Sequence, residues 1–231
     1  MAKYEYPEID GMDSILLTLA INHKGNWMEV YDSLQIKEDM NMKQVLENQA
    51  MLKNNNCGFT TLINEEYPQN LKTIYKPPFG VFYKGDAEAI KGQNAINTIT
   101  VIGDHLEALK TVDKNANLLW VNKTSKEVQE ILKLHPTGNI FYSSEFKEVA
   151  KQQEPAKGNC FISEIWEKSK EKDYSNQQEE RMFLGITKQV LITPNAKTRE
   201  VERAKQYANT EDVKILGQRE KEKTKEFTRG M

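Results

Sequence analysis

Six short apolar runs in the later two-thirds of this 231-residue chain constrain its fold more than any other feature. They are residues 99–103 (ITVIG), 117–122 (NLLWVN), 139–144 (NIFYSS), 160–164 (CFISE), 189–194 (QVLITP) and 213–217 (VKILG), most of them rich in β-branched or aromatic side chains. Polar stretches with helical periodicity separate several of them, notably 125–134, 176–186 and 198–208. Strands alternating with helices require right-handed crossovers, which make the strands parallel and cover the sheet on both sides. The expected fold class is α/β, a Rossmann-like, mostly parallel sheet with helices on both faces.

Ahead of these runs, apolar residues recur at helical spacing over 12–34, with a break at His23-Lys24-Gly25-Asn26. Asp13 and Ser14 can cap the first helix, and Gly25 suits a left-handed stop before the second. A third helix is expected over 42–53, ended by Asn54-Asn55-Asn56. The division that results is a helical N-terminal module over 1–56, a Rossmann-like domain over 57–217 and a charged tail over 218–231.

Composition narrows the function classes. With 32 Lys and Arg against 34 Asp and Glu, the net charge is -2. Neutralising phosphates supplies most nucleic-acid affinity, so any such binding has to come from a local basic patch. No apolar run reaches the length of a membrane span, and the first residues lack the order of a signal peptide, which implies a cytoplasmic protein without membrane contact. Cys57 and Cys160 are expected as reduced thiols. The run 99–103 is followed by no further glycine, so a dinucleotide fingerprint is absent, as are a phosphate-binding Walker loop and a nucleophile elbow. His23, His105 and His135 share no metal spacing. No cofactor and no enzymatic activity are expected.

The stretch 58–86 reads as strand, Tyr67-Pro68 turn, short amphipathic segment with Leu71, Ile74 and Tyr75 on one side, Pro77-Pro78 stop, and a second strand closed by Gly85. Tyr67, Pro68, Leu71, Ile74, Pro77, Pro78, Lys84 and Gly85 follow the spacing of the lead-in to the Rossmann-like domain of the DNA processing protein A (DprA) family, which the chain resembles as a divergent, shortened relative. The resemblance continues in the last third. CFISEIW is similar to the family's strand ending in Ser-Glu, carrying over Ser163 and Glu164. RMFLGITKQVLI is similar to the helix that follows, carrying over Arg181, Gly185 and, in place of a Ser, Thr187. It fails at two signatures: Asp104 and His105 stand where the family has Ser-Arg after the glycine, and 122–125 replaces its Ser-Gly-x-Ala-Arg-Gly-Ile-Asp motif.

In an open parallel sheet, ligands bind beyond the carboxyl ends of the strands. The candidate ligand-binding residues are therefore Gly103, Asp104, His105, Asn122, Lys123, Thr124, Ser163, Glu164, Arg181, Gly185, Thr187, Asn195 and Lys197. Arg181 is the foremost candidate for an anion, because a guanidinium meets phosphate bidentately; an i to i+4 surface pairing with Gln177 or a nearby acid is its alternative. Thr124 or Ser125 reads as a helix cap, and His105 as a solvated loop histidine. Lys123, Arg181, Lys188 and Lys197 are expected on one rim of the sheet.

The resemblance implies a non-enzymatic, dimeric protein that binds single-stranded DNA and mediates recombination with a recombinase. A second class stays open: a protein that senses or sequesters a nucleotide-derived small ligand, encoded for instance by a phage or mobile element. A third is a decoy for a protein partner that retains the fold alone.

Overall fold

In the computed structural model, which describes residues 5–37, 39–91, 97–168, 175–211 and 213–216, the lead-in forms β1 (Gly58–Thr61) and β2 (Gly80–Gly85). The six runs form β3 (Thr98–Ile102), β4 (Asn117–Val121), β5 (Asn139–Tyr142), β6 (Asn159–Ser163), β7 (Gln189–Ile192) and β8 (Lys214–Leu216). Together they make one eight-stranded sheet in the order β1-β2-β6-β5-β4-β3-β7-β8. From β6 to β8 every pairing is parallel, while β1, β2 and β6 pair antiparallel. The lead-in thus extends a Rossmann-like sheet by a hairpin on one edge. The charged tail expected over 218–231 lies outside the described residues.

The apolar runs are nearly continuous because both faces of the sheet are buried. Side chains alternate between two cores: Leu119, Ile140, Tyr142, Ile162, Val190 and Ile192 on one face, Val101, Leu118, Trp120, Phe141, Phe161 and Leu191 on the other. The helices are α1 (Gly11–Asn22), α2 (Trp27–Ile36), α3 (Met42–Asn54), α4 (Gln69–Lys72), α5 (His105–Thr111), α6 (Ser125–Leu134), α7 (Lys147–Ala150), α8 (Ser175–Ile186) and α9 (Thr198–Glu211). The first core is covered by α4, α8 and α9, the second by α1, α3, α5, α6 and α7.

Local chemistry explains most boundaries. Asn26 accepts hydrogen bonds from the N–H groups of Met28 and Glu29 and so starts α2, directly after Gly25 with φ +71°. Asp13 does not cap α1, whose N-cap is Asp10 without a side-chain bond. Instead the Asp13 carboxylate accepts the Thr61 hydroxyl at 2.6 Å and the Asn64 amide at 2.9 Å, tying the prefix to the turn after β1. Lys84 holds a second tie. The residue is 4% exposed and its ammonium donates to the carbonyls of Asn55 and Ala150, so one cation sits on the electronegative carboxyl ends of α3 and α7. In the lead-in, Leu71 and Ile74 are buried as expected, but Tyr75 is 77% exposed because α4 is only four residues long and the chain has left the helix by that point.

The two ends of the parallel strands differ. At the amino ends, Asn139 and Asn159 are fully buried and mutually bonded, and Asn139 also accepts the Trp120 indole N–H at 2.8 Å. These asparagines form a satisfied polar ladder, beside which Thr98, Asn117, Gly138 and Gly158 line a smaller cavity of about 180 Å³. The carboxyl ends are open.

Candidate nucleic-acid interface

After β3 the chain moves outward through β4, β5 and β6, then returns to place β7 and β8 on the other side of β3. The loops leaving β3 and β7 therefore diverge, and a crevice forms between them at the carboxyl edge. A cavity of about 690 Å³ occupies this crevice. Its floor is the end of β3, Gly103 and Asp104; one wall is Asn122, Lys123 and Glu127, the other Asn195 and the opening turns of α9.

Gly103 can be nothing larger. It has φ +104°, and a Cβ would lie 2.3 Å from the Thr193 hydroxyl and 2.9 Å from the Ala196 Cβ. That hydroxyl accepts the Asp104 N–H at 2.8 Å, so the close approach of the β3 and β7 loops shapes the floor. Asp104 caps α5 by accepting the Glu107 N–H at 2.9 Å, and this bond holds its carboxyl below the usual range. Asn122 adopts φ +46° and accepts the Ser144 N–H at 2.9 Å, bracing the wall that it shares with Lys123 and Glu127. Thr124 and Glu127 form a capping box at the start of α6. Burial pushes the Glu127 carboxyl up, but its bonds to Thr124 and the nearby Lys123 ammonium outweigh this and hold it low.

Lys123 is largely buried, donates to the Gly103 carbonyl at 2.6 Å and stands 3.5 Å from Glu127. Across the cavity, α9 contributes Arg199 and Arg203, one turn apart on one face, with Lys197 just before them. Lys197 is 84% exposed on the rim, 4.0 Å from Glu200. Two of the acids in the lining, Asp104 and Glu127, are engaged with backbone N–H groups. Four cations and the amino end of a fourteen-residue helix thus face one crevice, a setting that favours an anion.

Of the candidate residues, Gly103, Asp104, Asn122, Lys123, Asn195 and Lys197 meet here. Others do not. His105 is not a solvated loop residue: it opens α5, is 6% exposed, and its Nε2 lies 3.1 Å from Glu130. Ser163 is fully buried and donates to the Ile165 carbonyl. Thr187 is bonded to Thr100 at 2.6 Å inside the core. Gly185 lets α8 approach the lead-in, since a Cβ there would meet Leu71 at 2.8 Å and Ile74 at 2.9 Å.

Arg181 is placed differently from the anion-binding role expected of it. Its guanidinium donates to Glu164 at 2.8 Å, with side-chain exposures of 11% and 3%, a buried pair between distant segments rather than the expected i to i+4 surface pairing. The pair binds α8 to the exit of β6, away from the cavity. Lys188 directly precedes β7 and so stands at the amino ends of the strands. The four cations expected on one rim therefore reduce to Lys123 and Lys197. Arg199 and Arg203 line the cavity instead; their i, i+4 spacing in 198–208 was the available signal, but that spacing equally describes a solvated helix face.

Among the described residues no group of three or more His, Cys, Asp or Glu side chains could hold a metal ion, and no helix is long and apolar enough to cross a membrane. Cys57 and Cys160 are free and buried, and burial raises both thiols, that of Cys57 to about 11.

No protein-family model and no curated protein matches the chain. Among solved structures it is similar to DNA processing protein A from Streptococcus pneumoniae, with 17% identity and a TM-score of 0.50 over 89% of this chain and 81% of that one. It is also similar to DNA processing protein A from Helicobacter pylori, described in a structural study of its single-stranded DNA binding mode, with 15% identity and a TM-score of 0.49 over 71% and 82% of the two chains. The chain shares the fold of DNA processing protein A.

Proposed function

We propose that this protein binds single-stranded DNA at the crevice between β3 and β7 and acts in recombination as a mediator without catalytic activity of its own. The observation that carries the reading is the convergence of Lys123, Lys197, Arg199 and Arg203 on one open cavity in a chain whose net charge is -2. A local basic site is what an acidic protein needs in order to bind phosphates. Lys197, exposed where it lines the rim of the cavity, supports a strand that runs on past the pocket. Among the described residues the cavity lining holds no Ser, Cys or His; of its three carboxylates Asp104 and Glu127 are engaged as caps and Glu200 lies 4.0 Å from Lys197, which supports a binding role. The homodimer and the recombinase partner belong to the same proposal through the shared fold.

The test is fluorescence anisotropy of labelled oligo-dT. With four phosphate contacts on a single strand, the slope of log K against log salt approaches about -2.8, so affinity falls roughly fiftyfold between 50 and 200 mM salt. Absence of binding at low salt, or binding indifferent to salt, contradicts the proposal.

A second reading has one specific observation in its favour: about 690 Å³ falls within the range of small-ligand pockets, roughly 300–1,000 Å³. A nucleotide-derived ligand at about 100 times its Kd adds about 2.7 kcal/mol of stability, which a thermal-shift panel detects. A mononucleotide that raises Tm in a protein silent to oligo-dT selects this reading.

A further inference from the structure

The residue least expected to be buried, His105, stands beside the cavity wall. Its side chain is 8% exposed and lies between two carboxylates of α6, with Nε2 3.1 Å from Glu130 and Nδ1 3.8 Å from Glu127. Glu127 Oε2 is occupied by Thr124, while Oε1 faces both His105 and the Lys123 ammonium, 3.5 Å away. Lys123 in turn is bonded to the Gly103 carbonyl on the cavity floor. The charged groups around the imidazole are thus Glu127 and Glu130, with Lys123 and Lys126 behind them, and Asp104 at the start of its own helix.

We propose that His105 is a positioning residue which sets how much of the Lys123 charge the cavity presents, so that nucleic-acid affinity rises as His105 takes up a proton. A neutral imidazole has one N–H. When Nε2 donates it to Glu130, Nδ1 turns a lone pair towards Glu127 Oε1, and that oxygen is left to Lys123. The imidazolium has an N–H on each nitrogen, one for each carboxylate. Glu127 then shares its charge with His105, and Lys123 is less neutralised where it faces the cavity. Asp104 and Glu127 are both held low by their caps, so these two carboxylates keep their charge when the imidazole takes up a proton.

This inference rests on the nucleic-acid reading of the cavity, and the experiment separates the two. Oligo-dT binding is measured at constant ionic strength from pH 8.0 to 5.5 in the wild type, His105→Gln and Glu127→Gln. Glutamine keeps a donor for Glu130 but cannot change charge, and His23 and His135 remain as internal controls. The wild type is expected to tighten roughly fivefold as pH falls, the scale of one unit charge acting on an anion across the cavity. Both variants lose that dependence. Should His105→Gln fail to fold, Glu127→Gln decides alone, because it keeps the imidazole and removes the link to Lys123. A wild type that binds equally at every pH, or a variant that retains the full dependence, overturns the inference and leaves the site intact. A wild type that binds at no pH overturns the site and the inference together.

Discussion

Arg181→Met is expected to lower stability by about 3–5 kcal/mol, because it leaves the Glu164 carboxylate buried without its guanidinium. For a chain of this size the melting temperature drops by roughly 6–20 °C. The cost belongs to the uncompensated charge more than to the lost attraction, so the pairing itself can be near neutral. The double variant Arg181→Met with Glu164→Leu should therefore recover much of the loss, as thermal unfolding of the three proteins would show. Equal stability of the single variant and the wild type contradicts the buried pair. Oligo-dT affinity per folded molecule should be unchanged, which separates this arginine from the two on α9.

Replacing Arg199 and Arg203 together by alanine has the opposite profile. Stability changes little, since Arg199 is exposed, Arg203 is part-buried and α9 keeps its apolar face through Ala204 and Ala208. Binding falls steeply: two charge-assisted contacts at about 1.5 kcal/mol each amount to about a hundredfold in Kd. The salt slope should shrink by about 1.4 as two phosphate contacts disappear. Anisotropy titrations at two salt concentrations read both quantities. Unchanged affinity with an unchanged slope places the strand elsewhere on the protein.

These two predictions divide along the line between what the sequence announces and what only the fold brings together. The strands were legible because both sheet faces are buried, so that ITVIG or NLLWVN is apolar on successive residues and cannot be an amphipathic surface element. A cap at Thr124 or Ser125 was legible because capping is local chemistry, and the box with Glu127 settles it on Thr124. The partner of Arg181 was not, since Glu164 lies in another element 17 residues away and a helix reading offers only i, i+4 neighbours. Arg199 and Arg203 read as an ordinary polar helix face; it is the return of β7 to the far side of β3 that turns this face toward a cavity. The burial of His105 escaped for a third reason. His105-Leu106-Glu107-Ala108 is a helix of under two turns whose start depends on the Asp104 cap, and such a segment looks like a loop until α6 packs beside it.

The central claim is that the crevice between β3 and β7 is where this protein holds a single strand. Amide hydrogen exchange with and without oligo-dT at low salt tests it most directly, because it reports location together with binding. Protection is expected at Gly103 and Asp104, at Asn122 and Lys123, and from Asn195 into the first turns of α9, three segments distant in sequence that share one cavity. Protection confined to the β1–β2 hairpin or to the amino ends of the strands, with those three segments unchanged, would contradict the account.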